Sequence, residues 1–237
     1  MSEISNISYL TFLKRSGITT FLQTKPNNFY TSNSSIKNSL NSDKIEDIAN
    51  IKEFEYFINT YNHCKLKRHA KKTVIGDGNT KADIMLIGEA PGAEEDKIGK
   101  PFVGAAGQLL DKMLTAIKLN RNNVYITNVI FWRPPNNRAP SNEEILQCLP
   151  FVQRHIELIN PKFILLLGST AAKAILSTPL SITKLRGSWH DYKSLNLNKT
   201  IKCLATYHPA FLLRSPNYKK QSWQDLQIFQ QKILDEN

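Results

Sequence analysis

Residues 83–96 read DIMLIGEAPGAEED and join a short apolar run to an acidic turn. The apolar run ends at Gly88, and Pro91 and Gly92 then forbid a regular helix directly after it. Four of the chain's twenty acidic residues fall within positions 87–96. The pattern predicts a buried strand, over 83–88, whose carboxyl end opens into a turn rich in carboxylates.

The rest of the chain is basic, with a formal net charge of +11 and a pI of about 9.5. Such an excess of basic residues suits a polyanionic partner, most often nucleic acid. The alternative explanation of the charge is that the proteins of the source organism are basic in general. The apolar runs are too short to span a membrane, and MSEISNISYLTFLKRSG at the N-terminus does not look like a secretory signal. Three widely spaced cysteines argue against a disulfide framework, so we expect a cytoplasmic protein.

Outward from this strand, the chain alternates apolar strands with amphipathic helices. We predict strands over 83–88, 123–130, 162–168 and 201–208, and helices over 107–119, 141–159, 169–176 and 221–235. Strands that are apolar throughout belong to a parallel sheet covered on both faces. The expected fold is therefore a three-layer α/β/α sandwich around a central, mainly parallel, four-stranded sheet.

The N-terminal part has a different composition. A helix is predicted over 6–16, and residues 24–44 are rich in Asn, Ser and Lys, as in a flexible linker. A further helix is predicted over 45–60. We therefore divide the chain into an N-terminal helix with its linker, residues 1–44, and a catalytic domain, residues 45–237.

Three polar or glycine-rich segments follow predicted strands, and they span residues 87–104, 127–138 and 206–214. In doubly wound sheets the ligand crevice lies beyond the carboxyl ends of the strands. All three segments should therefore face one crevice.

Several side chains in these segments have both a chemical and a structural interpretation. Glu89 either orients a water or caps a helix, and Asn128 either reads the edge of a base or ties down a turn. His208 either stabilises developing negative charge or is an ordinary loop histidine. Phe102 either stacks on a flat ring or belongs to the core. Phe211, Leu212 and Leu213 before Arg214 are either a wedge beside a phosphate contact or core residues.

The acids of the turn do not belong to a phosphate loop. GEAPG lacks the G-x-G-x-x-G pattern, and Gly99-Lys100 is not followed by Ser or Thr. Glu94, Glu95 and Asp96 have the oxygens that a divalent cation prefers, although a surface turn is the commoner outcome. A metal-dependent phosphoesterase is therefore one alternative.

Taken together, the segments resemble the family 4 uracil-DNA glycosylases. The matching stretches are GEAPGAEED…GKPFVGAAGQLLDKML, YITNV…RPPNNRAPSNEEI…C, LLLGSTAAKAIL, KLRGSWH and TYHPAFLLRSP, in family order over roughly residues 60–230. The resemblance implies hydrolysis of the N-glycosidic bond of uracil, flipped out of DNA, in base excision repair. The alternative is a catalytically weak DNA- or uracil-binding protein of the same fold.

The resemblance also implies roles for individual residues. Phe102 would stack on uracil, Asn128 would bond its edge, His208 would face O2, and the backbone of Gly88 and Ala90 would line the pocket. Glu89 and, secondarily, Glu95 would place the attacking water and stabilise the cationic sugar. On the DNA side, the resemblance implies a wedge of Leu212 and Leu213 and phosphate contacts from Lys184, Arg186 and Arg214.

The family holds a [4Fe–4S] cluster on four cysteines, and here the sequence departs from it. Cys64 and Cys148 match two ligand positions, whereas Tyr61 and Trp132 stand at the other two and Cys203 matches none. Because a cubane cluster requires four ligands, usually thiolates, we expect no cofactor and aromatic packing in the cluster's volume. His63 and His69 are the alternative ligands nearby.

Residues 1–44 lie outside the resemblance. We expect a tether or an arm for a protein partner there, a monomeric enzyme, uracil-containing DNA as substrate, and no membrane association.

Overall fold

A computed structural model of the chain describes residues 45–194 and 196–236. The N-terminal helix and linker predicted within residues 1–44 lie outside the described residues. The helices are α1 (Ile51–Thr60), α2 (Ala93–Ile98), α3 (Ala105–Ala116), α4 (Asn142–Ile159), α5 (Ser169–Leu176), α6 (Ile182–Leu185), α7 (Pro209–Arg214) and α8 (Lys219–Asp235). The strands are β1 (Gly76–Gly78), β2 (Ile84–Gly88), β3 (Tyr125–Asn128), β4 (Phe163–Leu167), β5 (Trp189–Lys193) and β6 (Thr200–Thr206).

Within the described residues, six strands form one sheet in the order β1-β3-β2-β4-β6-β5. The four central strands are parallel, with Gly88 opposite Asn128 between β2 and β3, and Leu167 opposite Thr206 between β4 and β6. The edge strands β1 and β5 run antiparallel to their neighbours. The carboxyl ends of the parallel strands therefore meet along one edge, as the sequence predicts.

The mainly parallel core of the predicted sheet is confirmed, but the sheet has six strands rather than four. The two strands that were not predicted lie at the edges and lack the apolar runs that mark the central four. β1 has the sequence GDG, and β5 has the sequence WHDYK, with side chains that are partly exposed. Edge strands of this kind are polar on one side and carry little sequence signal.

Side chains of the central strands alternate between two apolar cores, one on each face of the sheet. Met85 and Ile87 pack in one core with α1, α4 and α5, whereas Ile84 and Leu86 pack in the other with α3 and α8. The three-layer α/β/α arrangement is thereby confirmed. Among the described residues, no helix combines the length and apolar character that a membrane span requires.

Helix boundaries follow local capping. Ser141 begins α4 with the predicted capping box, since its Oγ accepts from Glu144 N at 3.2 Å and Glu144 Oε2 accepts from Ser141 N at 2.7 Å. The helix predicted over 45–60 instead begins at Ile51, because the side chain of Asn50 caps it by accepting from Glu53 N at 3.0 Å.

Candidate active site

The crevice beyond the carboxyl ends of the strands is built first around Gly88, the last residue of β2. A Cβ atom at this position would lie 2.5 Å from Asn128 Oδ1 and 2.5 Å from the ring of Phe102. Any other residue would therefore collide with both side chains. Two of the three predicted segments meet at this point.

Phe102 is buried and held in an unusual backbone conformation. Its φ of 55° lies in the left-handed region, which costs a non-glycine residue on the order of 1 kcal/mol. A Cβ atom on Gly107, in the first turns of α3, would lie 1.7 Å from the Phe102 carbonyl oxygen, so the loop and the helix are in close contact. The result is an aromatic ring fixed at the crevice.

The third segment contributes His208, whose ring centroid lies 5.5 Å from that of Phe102 with an interplanar angle of 32°. A Cβ atom on Gly168, after β4, would lie 2.9 Å from His208 Cβ. The structure thus brings Gly88, Phe102, Asn128 and His208 into one pocket.

Asn128 ends β3 and is 1% exposed. Its side-chain Oδ1 is buried and has no hydrogen-bond partner among the described residues. A buried acceptor without a partner costs free energy, on the order of 1–3 kcal/mol, which a donor from a ligand or a water would offset. The pocket therefore lacks one hydrogen-bond donor.

His208 caps α7, and this contact fixes its tautomer. Its Nδ1 accepts from Ala210 N at 3.1 Å, so the proton of the neutral ring is on Nε2. Burial, together with the positive charge of Arg214, lowers the pKa of His208 to about 4, although Glu95 acts in the opposite direction. The residue is a neutral hydrogen-bond donor at physiological pH.

Glu89 is partly exposed at the crevice, next to the buried end of β2, and Ala90 beside it is partly buried. The hydroxyl of Thr170, in the first turn of α5, donates to Glu89 Oε2. Thr170 was not among the predicted site residues, although GST at 168–170 also follows a central strand and so belongs to the same edge of the sheet. One oxygen of Glu89 is thereby oriented.

Glu95 is 9% exposed and directs its carboxylate toward backbone amides. Oε1 accepts from Val103 N at 2.9 Å and Gly104 N at 2.8 Å, and Oε2 accepts from Gly92 N at 3.1 Å. Oε1 therefore holds the loop that carries Phe102, and Oε2 holds the turn before α2.

The other two acids of the turn have separate partners. Glu94 is exposed and pairs with Lys97 at 2.7 Å, whereas Asp96 is buried and accepts from Lys71 N at 2.7 Å and Lys72 N at 3.2 Å. Across residues 45–194 and 196–236, no three His, Cys, Asp or Glu side chains converge as ligands for a metal ion. The acids of the turn thus bind backbone amides and a lysine instead of converging on one cation. This arrangement gives no support to the alternative of a metal-dependent phosphoesterase.

The two leucines of the predicted wedge differ in their exposure. Both lie in α7, where Leu212 is 1% exposed and faces the protein interior, whereas Leu213 is 44% exposed. Neighbouring residues of a helix point about 100° apart, so the two side chains cannot share one direction. Lys184 and Arg214 are exposed, as phosphate contacts require.

Arg186 is largely committed inside the protein. Its guanidinium pairs with Asp225 of α8 at 2.6 Å and donates to Gln221 O at 2.5 Å, and it lies 5.4 Å from the centre of the Tyr207 ring. Its side chain is 17% exposed. The arginine therefore braces the segment before His208, and the structure offers little of it to a phosphate.

The positions that hold an iron–sulfur cluster in the family form a packed aromatic cluster here. The rings of Tyr61 and Trp132 are stacked at 6.3 Å and 23°, and Tyr61 packs edge-on against Phe151 at 4.8 Å. Trp132 is fully buried, and its Nε1 donates to Thr73 Oγ1 at 3.2 Å.

Cys64 and Cys148 are free, buried thiols in this aromatic cluster. A hydrogen bond between them lowers the pKa of Cys64. Two thiols beside two bulky rings do not fit a [4Fe–4S] cluster, which requires four ligands. Cys203, the remaining cysteine, is buried in β6.

Comparison with known proteins places this geometry in a family. The family model of the uracil DNA glycosylase superfamily matches residues 75–227. A type-4 uracil-DNA glycosylase of Sulfurisphaera tokodaii is 48% identical over 162 residues, which cover 66% of this chain and 73% of that protein. Another of Pyrobaculum aerophilum is 38% identical over 181 residues, with 76% and 92% covered.

A type-4 uracil-DNA glycosylase of the bacterium Thermotoga maritima is 43% identical over 153 residues, which cover 64% of this chain and 77% of that protein. The matched region includes every strand of the central sheet and all four residues of the pocket. This chain belongs to the uracil DNA glycosylase superfamily.

Proposed function

We propose that this chain is a uracil-DNA glycosylase, a hydrolase that cleaves the N-glycosidic bond of uracil and leaves an abasic site for base excision repair. The unpartnered Oδ1 of Asn128 is the observation that carries this proposal. N3–H of uracil supplies the missing donor, and Asn128 Nδ2 donates to O4. Cytosine has no hydrogen on N3 and has an amino group at C4, so the same amide rejects it.

The pocket selects a flat ring that has left the helix. A base within a duplex is out of reach, so the nucleotide flips out at a cost of a few kcal/mol for unstacking. Phe102 then stacks on the base, and Gly88 leaves room for the ring because it has no side chain. The backbone of Ala90 continues the wall.

Bond cleavage places negative charge on the base. The bond that breaks joins N1 of uracil to C1′ of the sugar, and its electron pair leaves with uracil. His208, neutral and with its proton on Nε2, donates to O2 as charge develops there. A neutral donor achieves this stabilisation without a competing proton transfer.

The sugar becomes positively charged at the same time. Glu89 faces the crevice with one oxygen held by Thr170, so its carboxylate stabilises that charge and orients a water. The water oxygen bonds to C1′ and releases a proton, which Glu89 accepts. Glu95 acts indirectly, since its Oε1 holds the amides just after Phe102 and its Oε2 holds the amide of Gly92.

DNA is bound along the basic rim of this crevice. Leu213 is the wedge residue that fills the space of the flipped nucleotide, and Lys184 and Arg214 contact phosphates. Arg186 keeps an indirect role through Asp225 and Tyr207.

The enzyme works without an iron–sulfur cluster in this proposal, because aromatic packing replaces the bracing that the cluster provides. The support is the donor set, in which Tyr61 and Trp132 occupy two ligand positions. Iron and sulfide analysis of anaerobically purified protein should find far less than the roughly four irons per chain of one such cluster.

A double variant tests the same proposal by restoring the missing ligands. Tyr61→Cys with Trp132→Cys restores four thiols, and we expect it to take up iron and sulfide with a broad visible absorbance while the unaltered chain does not. Four irons in the unaltered chain would overturn the proposal, and Tyr61→Ser with Trp132→Ser is the matched control without thiols.

The function itself is tested by incubating the protein with uracil-containing DNA in EDTA. Free uracil and abasic sites are the expected products. Tight binding without release would indicate the alternative, a catalytically weak DNA- or uracil-binding protein. Loss of activity in EDTA would indicate a metal-dependent reaction instead.

The remaining features of the proposal concern the setting of the enzyme. Residues 45–237 form the catalytic domain, which contains the matched range 75–227. Three free thiols in the described part of the chain suit the reducing cytoplasm. The enzyme acts as a monomer, and a protein partner for residues 1–44 stays a prediction.

A further inference from the structure

Arg121 belongs to none of the motifs described above, and yet its side chain contacts the loop that carries Phe102. It lies between α3 and β3, and its side chain is 24% exposed. Its Nη1 donates to Pro101 O at 3.1 Å, and its Nη2 donates to the carbonyl oxygen of Phe102. One guanidinium group thus holds two consecutive carbonyls of the loop.

Two carboxylates aim this guanidinium. Asp77 of β1 accepts from Nη1 at 2.9 Å, and Asp111 of α3 accepts from Nε at 2.9 Å. Asp77, whose side chain is 18% exposed, also pairs with Lys100 at 2.9 Å. Burial raises the pKa of Asp77, but hydrogen bonds from Lys100 and Arg121 outweigh this and lower it. The guanidinium group of Arg121 is therefore held by one carboxylate at Nη1 and by another at Nε.

Glu95 holds the same loop at the residues that follow Phe102. It accepts from Val103 N at 2.9 Å and Gly104 N at 2.8 Å. A cation thus binds the carbonyls before and at Phe102, and an anion binds the amides just after it. Between these two contacts the backbone of Phe102 has a φ of 55°, a conformation that needs outside restraint.

We propose that Arg121 is a positioning residue for uracil recognition, which clamps the Phe102 loop with Glu95 and so presets the ring on which the base stacks. The inference rests on the proposed function, since it assigns a residue that acts through Phe102. A ring already in place costs less ordering when the base arrives, so the clamp strengthens uracil binding and speeds cleavage.

The test compares Arg121→Lys with Arg154→Lys. Lysine keeps the charge but lacks the planar fork that reaches two carbonyls and two carboxylates. Arg154 is a matched control, because it also donates to a backbone carbonyl, Ile48 O at 3.1 Å, and pairs with Glu157 at 2.8 Å. Its contacts are with the segment before α1 and with α4, and the crevice side chains are not among them.

Four quantities separate positioning from general stability. They are the inhibition constant of free uracil, kcat/KM, the affinity for uracil-free DNA and Tm. For Arg121→Lys we expect about tenfold weaker uracil inhibition and a similar loss of kcat/KM, with DNA affinity within about twofold of the original. Arg154→Lys should lower Tm and leave the uracil constant within about twofold.

Normal uracil inhibition and normal kcat/KM in folded Arg121→Lys would overturn the proposal. If that variant does not fold, Asp111→Asn removes one of the two carboxylates, and a smaller change in the same direction is expected. An unchanged uracil constant in Asp111→Asn would then count against the clamp.

Uracil binding measured by calorimetry keeps this test separate from the proposed function. An unaltered chain that binds uracil but releases none from DNA would refute the glycosylase and still report on the clamp. An active chain whose Arg121 variant binds uracil normally would refute the clamp alone.

Discussion

At the scale of single residues, the pocket holds two hydrogen-bonding groups that uracil would satisfy. The Oδ1 of Asn128 lacks a donor, and the Nε2–H of His208 is a donor without a described acceptor, since the other ring nitrogen bonds Ala210. In the proposed complex, N3–H of uracil donates to Asn128 Oδ1 and O2 accepts from His208 Nε2.

Replacement of Asn128 by Ala removes the contact with the base edge. We expect uracil release from DNA to slow about 100-fold, because a pocket built to hydrogen-bond its substrate loses both discrimination and transition-state stabilisation. Single-turnover kinetics and binding to uracil-free DNA measure the two effects separately. An equal loss in both would contradict the assigned role.

The pH dependence of the reaction tests the state of His208. Its pKa in the folded protein is about 4, below the ordinary value of 6.5, so the ring is neutral at every pH well above 4. We expect kcat/KM to show no inflection near 6.5 from His208, and to fall as the pH drops through about 4, where protonation of Nδ1 breaks the bond from Ala210. An inflection near 6.5 that disappears in His208→Ala would contradict this.

At the scale of elements, helix α7 carries a buried residue, Leu212, next to an exposed one, Leu213, which is the proposed DNA wedge. Leu212→Ala removes a buried side chain and should lower the free energy of unfolding by about 2–5 kcal/mol. Leu213→Ala should leave stability nearly unchanged and slow uracil release from double-stranded DNA about tenfold, with little change on single-stranded DNA, where less stacking must be broken.

Thermal unfolding and assays on both kinds of DNA measure this pair of variants. The account would be wrong if Leu213→Ala slowed release equally on both substrates, or if Leu212→Ala were as stable as the unaltered chain.

The sequence predicts the central elements well and the edges poorly, for physical reasons. β2, β3, β4 and β6 are buried on both faces and so must be apolar, whereas β1 and β5 are not. The split between Leu212 and Leu213 depends on the rotation of α7, which a six-residue stretch does not reveal.

The residues of the site also differ in how well the sequence predicts them. Phe102, Asn128 and His208 lie in motifs that follow strands, and so the sequence finds them. Arg121 lies 19 positions from Phe102, and its contact depends on the paths of α3 and β1. No local pattern predicts such a contact.

At the scale of the whole molecule, a buried histidine links folding to pH. His155 is fully buried among the rings of Phe54, Tyr125 and Phe131, and burial lowers its pKa from 6.5 to about 3. The unfolded state therefore binds more protons below pH 6.5, and stability falls as the pH decreases from there.

We expect the free energy of unfolding to fall by about 1.4 kcal/mol per pH unit from this residue alone between pH 6 and 4, and to be insensitive to His155 above pH 7.5. Urea denaturation at several pH values measures the slope. His155→Phe should flatten it, and an unchanged slope in that variant would contradict the assignment.

For the whole molecule, the proposal is that a superfamily member with Tyr61 and Trp132 at two of the four cysteine positions cleaves uracil from DNA without a metal or a cluster. Uracil release should be measured in EDTA on a single preparation whose iron content has been determined. The account predicts free uracil and abasic sites from protein with well under one iron per chain. Activity that rises in proportion to bound iron, and is absent from iron-free protein, would contradict it.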